Sequence, residues 1–124
     1  MKNKSFIIYA TLFLLFISAI SAFANKSSVT IDTPDSAKKG EIITIKITVS
    51  HSANNFFHYT DWVYVKVNGK EIARWDFSAN DRPETEVFTK EVSFKVENPI
   101  TIVAEANCNV HGSAGKAEKK IDVK

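Results

Sequence analysis

The sequence is poor in the residues that staple or ligate. One cysteine, Cys108, stands among 124 residues, so no disulfide can close within the chain and the core must hold by packing. One methionine, Met1, leaves no thioether ligand in the body of the chain. There are only three histidines, His51, His58 and His111. Four glycines and three prolines exclude collagen-like and low-complexity chains. No stretch carries a helical period, and there is no internal repeat. The formal net charge is only +2, and Lys2 and Lys4 account for it. The rest of the chain is formally neutral, which argues against nucleic acid or a membrane surface as a partner.

Long apolar runs are also missing. The longest, residues 6–20, is shorter than the roughly 20 residues that a bilayer-crossing helix needs. With the basic start at Lys2 and Lys4 and the small-x-small stretch Ala22-Phe23-Ala24, it reads as a signal peptide over residues 1–24. No cysteine follows the run, which excludes a lipoprotein, and no Arg-Arg pair precedes it, which points to the general export route. The expectation is an exported protein, periplasmic or extracellular, without stable membrane association once the leader is cleaved. Residues 25–124 then form one small domain. In an oxidising compartment a lone thiol is an intermolecular bridge, a free thiol or a ligand, and an unprotected thiol there is a liability.

Short alternating segments fill the remainder. Ile43, Ile45, Ile47 and Val49 share one face of a strand, with Thr44, Lys46 and Thr48 on the other. Val63, Val65 and Val67 repeat the pattern, and Asn68-Gly69 follows at once, the strongest short hairpin signal. Further strands are expected over residues 29–33, 71–77, 85–96, 100–106 and 116–123. The last is expected at a sheet edge because of its lysines, and residues 36–40 are expected to form a polar turn. About seven antiparallel strands with turn signals between them predict an all-β, immunoglobulin-like β-sandwich.

The residues that carry chemistry lie in two short segments. His51 and His58 share a polar, aromatic loop, and Cys108-Asn109-Val110-His111-Gly112 lies near the C-terminus. Thiolate and imidazole are common ligands of first-row transition metals, and a glycine lets the chain bend sharply beside them. Because no other cysteine or histidine exists, His51, His58, Cys108 and His111 read together as a metal site. Each has a plainer reading alone, a small buried thiol or a hydrogen-bonded ring.

The second segment matches the C-N-x-H-G signature of the superoxide reductases, the desulfoferrodoxin and neelaredoxin group. The loop resembles that family too: His58-Tyr59-Thr60-Asp61-Trp62 reproduces a ligand histidine with tryptophan four positions later. The resemblance covers the whole region after the leader. It implies a mononuclear non-haem iron and one-electron reduction of superoxide to hydrogen peroxide, with Cys108 as axial thiolate. It also implies a separate electron-donor protein, because the four cysteines of the family's rubredoxin-like extra domain are not present. A homo-oligomer is compatible with the sequence.

Two departures from the family pattern stand out. The loop between His51 and His58 is one residue longer than usual. The family's first ligand histidine, in a Glu-Lys-His motif, has no counterpart, since the corresponding place reads Asn25-Lys26-Ser27. The resemblance implies that the family's lysine survives as Lys26, where it would add attraction for the superoxide anion, and that the imidazoles number three instead of four. Asp61, Asn55 and the amine of a mature Asn25 are candidates for the missing position. Other readings stand beside this one: a cupredoxin-like electron carrier, since Cys-x-x-His with an upstream histidine is also a copper pattern, a non-catalytic metal- or thiosulfate-binding module, or a purely structural sandwich.

Overall fold

The computed structural model describes residues 26–124. The leader expected over residues 1–24, and Asn25, lie outside the described residues. Eight strands follow in order: β1 (Ser28–Asp32), β2 (Ser36–Ala37), β3 (Glu41–Ser50), β4 (Thr60–Val67), β5 (Lys70–Asp76), β6 (Val87–Val96), β7 (Ile100–Cys108) and β8 (Ala117–Val123). They form a three-stranded sheet, β1-β3-β6, and a five-stranded sheet, β2-β8-β7-β4-β5. The fold is the expected immunoglobulin-like sandwich. Among the described residues no helix is long and apolar enough to cross a membrane.

Alternation decides which side chains enter the core. Ile43, Ile45, Ile47 and Val49 of β3 are at most 4% exposed, and Val63 and Val65 of β4 are fully buried. From β7, Ile100, Ile102, Ala104 and Ala106 join them, with Ile121 of β8. Truncating one such isoleucine to alanine costs about 2–5 kcal/mol in a close-packed core. Several such residues therefore substitute for the disulfide that this chain cannot make. The β4–β5 hairpin turns on Asn68 and Gly69, whose φ values of 50° and 82° are those of the anticipated type I′ turn.

Two expectations are corrected. Ser36 and Ala37 are not part of a turn; they pair in parallel with Asp122 and Val123, so one pairing in the sandwich is parallel. Two residues are too few to show a period, and what draws them in is the burial of Ala37 against the core. Consequently β8 is not the outermost strand, because β2 lies beyond it.

The register brings four strand ends to one end of the sandwich. Ser28 of β1 faces Ser50 of β3, and Thr60 of β4 faces Cys108 of β7. Burial alternates strictly along β7, so Cys108 is the last inward residue of that strand. The strand runs two residues further than the alternation predicted, and this carries the thiol into the interior.

Candidate metal centre

All four sequence-predicted ligands meet at that end. His51 Nε2 and His58 Nε2 are 3.0 Å apart, and His58 Nε2 and His111 Nδ1 are 3.1 Å apart. Cys108 Sγ lies 3.9 Å from His111 Nδ1, and single donor atoms of His51, His58 and Cys108 fall within 4.8 Å of one another. His111 stands at the rim of that trio and reaches it through His58 and Cys108. Cys108 and His51 are buried, at 1% and 4% exposure, whereas His58 is half-buried and His111 exposed. The cluster is thus closed on the Cys108–His51 side and open along His58 and His111.

The loop that holds the histidines is rigged by asparagines. His51 N–H is tied back to Glu86 C=O at 2.9 Å. Asn54 Oδ1 accepts from Thr60 N–H at 2.9 Å, and Asn54 Nδ2 donates to Thr85 C=O at 2.6 Å. These two bonds fix which end of the amide is oxygen. That same oxygen lies 3.4 Å from His51 Nδ1, so Nδ1 carries the proton and Nε2 keeps its lone pair for a metal. Such an outer partner sets both the tautomer and the ring orientation of a ligand. Asn55 Oδ1 accepts from the N–H groups of Phe57 and His58. Asn109 clamps the two segments together, accepting from Tyr59 N–H at 2.9 Å and donating to Phe57 C=O at 3.2 Å.

Sulfur is prepared by the backbone. Cys108 N–H donates to Gly112 C=O and Gly112 N–H returns the bond to Cys108 C=O. Gly112 closes this turn at φ 83°, a left-handed conformation natural to glycine. Inside the turn, the N–H groups of Val110 and His111 both point at Cys108 Sγ, each at 3.4 Å. The two amide dipoles orient the sulfur and complement the negative charge that a cysteine carries as a metal ligand.

Ser27 lies where the counting from the sequence placed it, beside the site. It is fully buried, its N–H donates to Gly112 C=O at 3.3 Å, and its hydroxyl is 2.9 Å from Thr60 Oγ1. Lys26 precedes it and is partly buried. Two of the candidates for the missing histidine's place are committed elsewhere. The Asp61 carboxylate accepts from Asn107 Nδ2 at 2.8 Å, and the Asn55 side-chain oxygen holds its two amides.

The donor set, a buried thiol with a buried and a half-buried imidazole and His111 beside them, is one that first-row transition metals accept.

A family model, desulfoferrodoxin, matches residues 20–114. The chain belongs to the desulfoferrodoxin family. Members of this family bind a mononuclear non-haem iron, and three imidazoles with one thiolate suit that ion. Among solved structures, a superoxide reductase (neelaredoxin) from Ignicoccus hospitalis is 21% identical, with a TM-score of 0.65 over 80% of this chain and 82% of that one. The superoxide reductase (neelaredoxin) from Archaeoglobus fulgidus in its reduced form is 18% identical, with a TM-score of 0.58 over 82% and 94%. The sulfur carrier protein SoxY from Chlorobium limicola is 10% identical, with a TM-score of 0.54 over 77% and 74%. At these identities the likeness shows the fold alone, and a sulfur carrier sharing it shows why the ligands must carry the function. No curated protein sequence matches.

What the sequence missed in this desulfoferrodoxin site is the supporting shell: Asn54, Thr60 and Thr85. The only available signal was the Asn54-Asn55 pair inside a loop that already held two ligands.

Proposed function

We propose that this chain is an exported superoxide reductase whose iron is held by His51, His58, His111 and Cys108. The observation that carries this reading is the convergence of His51, His58 and the buried Cys108 sulfur within 4.8 Å of one another, with His111 Nδ1 3.1 Å from His58 Nε2. When bound, the iron supplies the single electron and an open face for the superoxide anion. One electron and two protons then convert superoxide to hydrogen peroxide, and a separate protein donor restores the electron. Cys108, oriented by two amides, would serve the metal as a thiolate ligand whose negative charge favours release of an anionic product. His51 keeps its ligating nitrogen unprotonated through Asn54. Lys26, next to the site along the chain, adds attraction for the substrate anion.

The copper-carrier alternative uses one cysteine and two histidines with a weak axial ligand. Three gathered imidazoles, and no methionine in the described residues, favour iron.

The test is anaerobic iron titration with superoxide-decay kinetics on four single variants, His51→Ala, His58→Ala, Cys108→Ser and His111→Ala. Each is expected to lower iron affinity by on the order of tenfold or more and to lower the rate of superoxide consumption. The visible sulfur-to-iron charge-transfer band should vanish in Cys108→Ser alone among the iron-loaded forms. If two of the four variants bind iron as the unaltered chain does, the ligand set is wrong.

A further inference from the structure

The outer face of β4 carries two oxidisable rings in contact. Trp62 and Tyr64 stack with centroids 5.5 Å apart and planes 16° from parallel, within the range in which aromatic pairs touch. Alternate residues of a strand point to the same side, so the strand itself sets this pair. On the β4–β7 ladder Thr60 faces Cys108, Trp62 faces Asn107 and Tyr64 faces Glu105. Trp62 is therefore the ring nearer the end of the ligand strand, and Tyr64 the ring farther from it.

The two rings differ in what surrounds them. Arg74 lies 5.4 Å from the Trp62 ring, and a cation there opposes a second positive charge on that ring. Its ion pairs with Glu71 and Asp76 fix the guanidinium in place and soften its charge, so the deciding difference is a proton. Tyr64 has a cation of its own, Lys66 at 4.7 Å, but its hydroxyl donates to Glu105 Oε1 at 2.9 Å. A phenol that loses an electron while passing its proton to that carboxylate becomes neutral. Tyr64 is 7% exposed, so Glu105 and not bulk water is the acceptor at hand. Until it is oxidised the phenol keeps its proton, since burial and the Glu105 bond push its pKa up to about 12. Among the described residues, Tyr59 and Trp75 make no ring stack and bond to no carboxylate.

We propose that Trp62, Tyr64 and Glu105 form a one-electron relay that draws oxidising equivalents from the ligand end of β4 to the outer face. The oxidant is a one-electron oxidant of the oxygen-radical class, and it takes an electron from Trp62. Tyr64 returns that electron to Trp62 as its phenolic proton moves to Glu105. The oxidising equivalent then rests on a neutral Tyr64 radical beside a protonated Glu105. A one-electron reductant in solution, of the thiol or ascorbate class, restores the electron, and Glu105 returns the proton. The relay goes beyond superoxide reduction and does not depend on which metal the ligands hold.

The experiment uses the full chain without added metal and ruthenium(III) tris-bipyridine, formed by a light flash, as the oxidant. Transient absorption is expected to show a tryptophan radical that decays as a tyrosyl radical grows in. Tyr64→Phe is expected to lose the tyrosyl signal and to leave a longer-lived tryptophan radical. Trp62→Phe is expected to lower the tyrosyl yield severalfold. Glu105→Gln takes away the base and is expected to slow the transfer by on the order of tenfold or more. A tyrosyl signal that survives Tyr64→Phe overturns the proposal, as does a yield unchanged in Trp62→Phe or a transfer rate unchanged in Glu105→Gln. Near-ultraviolet circular dichroism checks that each variant is folded, and should Trp62→Phe fail to fold, the other two decide.

Discussion

Strand β4 borders two regions built on opposite principles, the metal end at Thr60 and the outer face at Trp62 and Tyr64. At the metal end, residues 51–60 and 106–115 contain no Asp, Glu, Lys or Arg, in a chain that is 24% charged. Amides and hydroxyls hold that end together: Asn54, Asn55, Asn109, Ser27 and Thr60. The outer face of the five-stranded sheet is held by charge and aromatic surface. Trp62 and Tyr64 stack with centroids 5.5 Å apart, Lys66 lies 4.7 Å from the Tyr64 ring and Arg74 5.4 Å from that of Trp62. Arg74 also reaches Glu71 and Asp76. Ion pairs this exposed contribute about 0–1 kcal/mol and fade with salt. Neutral hydrogen bonds contribute about 0.5–1.5 kcal/mol each and are not screened by salt, so the ligand geometry is insulated from conditions that loosen the other face. A neutral shell also leaves Cys108 as the one ligand among the metal-site segments that would bring a negative charge to a bound metal.

The largest effect that tests this contrast comes from the neutral shell. Asn54→Ala removes the acceptor of His51 Nδ1 and frees the loop from Thr85. Metal affinity is expected to fall on the order of tenfold, the loss typical of an outer partner, with the same loss at low and high salt. Competitive metal titration at two ionic strengths measures both. An unchanged affinity would mean that His51 is oriented without Asn54. A loss that grows with salt would mean that this end is not insulated after all.

Asn54 also shows where reading a sequence stops. The alternation in β3 and β4 was legible because period two is local, and each apolar residue announces its own face. The four ligands were legible by scarcity and by the C-N-x-H-G spacing. The role of Asn54 was not, because it depends on a carbonyl at Thr85, 31 residues away. The Ser27–Thr60 hydroxyl bond spans 33 residues and was equally hidden, although Ser27 itself was flagged by the histidine it replaces. Strand β2 escaped for another reason: its two residues have no pattern, and only the neighbouring β8 makes them a strand.

On the charged face a smaller, pH-dependent effect is expected. Burial, reinforced by the hydrogen bond to Glu105 at 2.9 Å, pushes the Tyr64 hydroxyl up to about 12 from its ordinary 10.0. A raised value means that the folded chain holds this proton more tightly than the unfolded chain does. The stabilisation is therefore complete below about pH 10 and is lost as pH rises from there towards 12. Urea unfolding at about pH 8 and about pH 11 should show a steeper alkaline loss in the parent than in Tyr64→Phe. Metal affinity should not change in that variant. If it does, the outer face and the metal end are coupled and the contrast between them fails.

The smallest effect is expected where charge is most exposed. Lys119 of β8 makes a short ion pair with Asp35, just before β2, and Asp122 N–H donates to Asp35 C=O at 3.1 Å. The Lys119 hydrogen bond, with its charge, lowers the Asp35 carboxyl below its ordinary 3.8. A lowered value gives stability that is present above the unfolded pKa and lost as pH falls through the folded one. Lys119→Ala should therefore be slightly less stable than the parent at neutral pH, and the difference should close in strong acid and at about 1 M salt, where screening is nearly complete. Because Asp35 is open to water, the backbone bonds and the buried Ala37 carry most of the β2–β8 contact. Ala37→Asp, which puts a charge where the chain is 1% exposed, should destabilise far more, at any salt. Denaturation curves of both variants across salt would decide. If Lys119→Ala proved the more damaging of the two, the short parallel strand would be held by its ion pair and not by its place in the core.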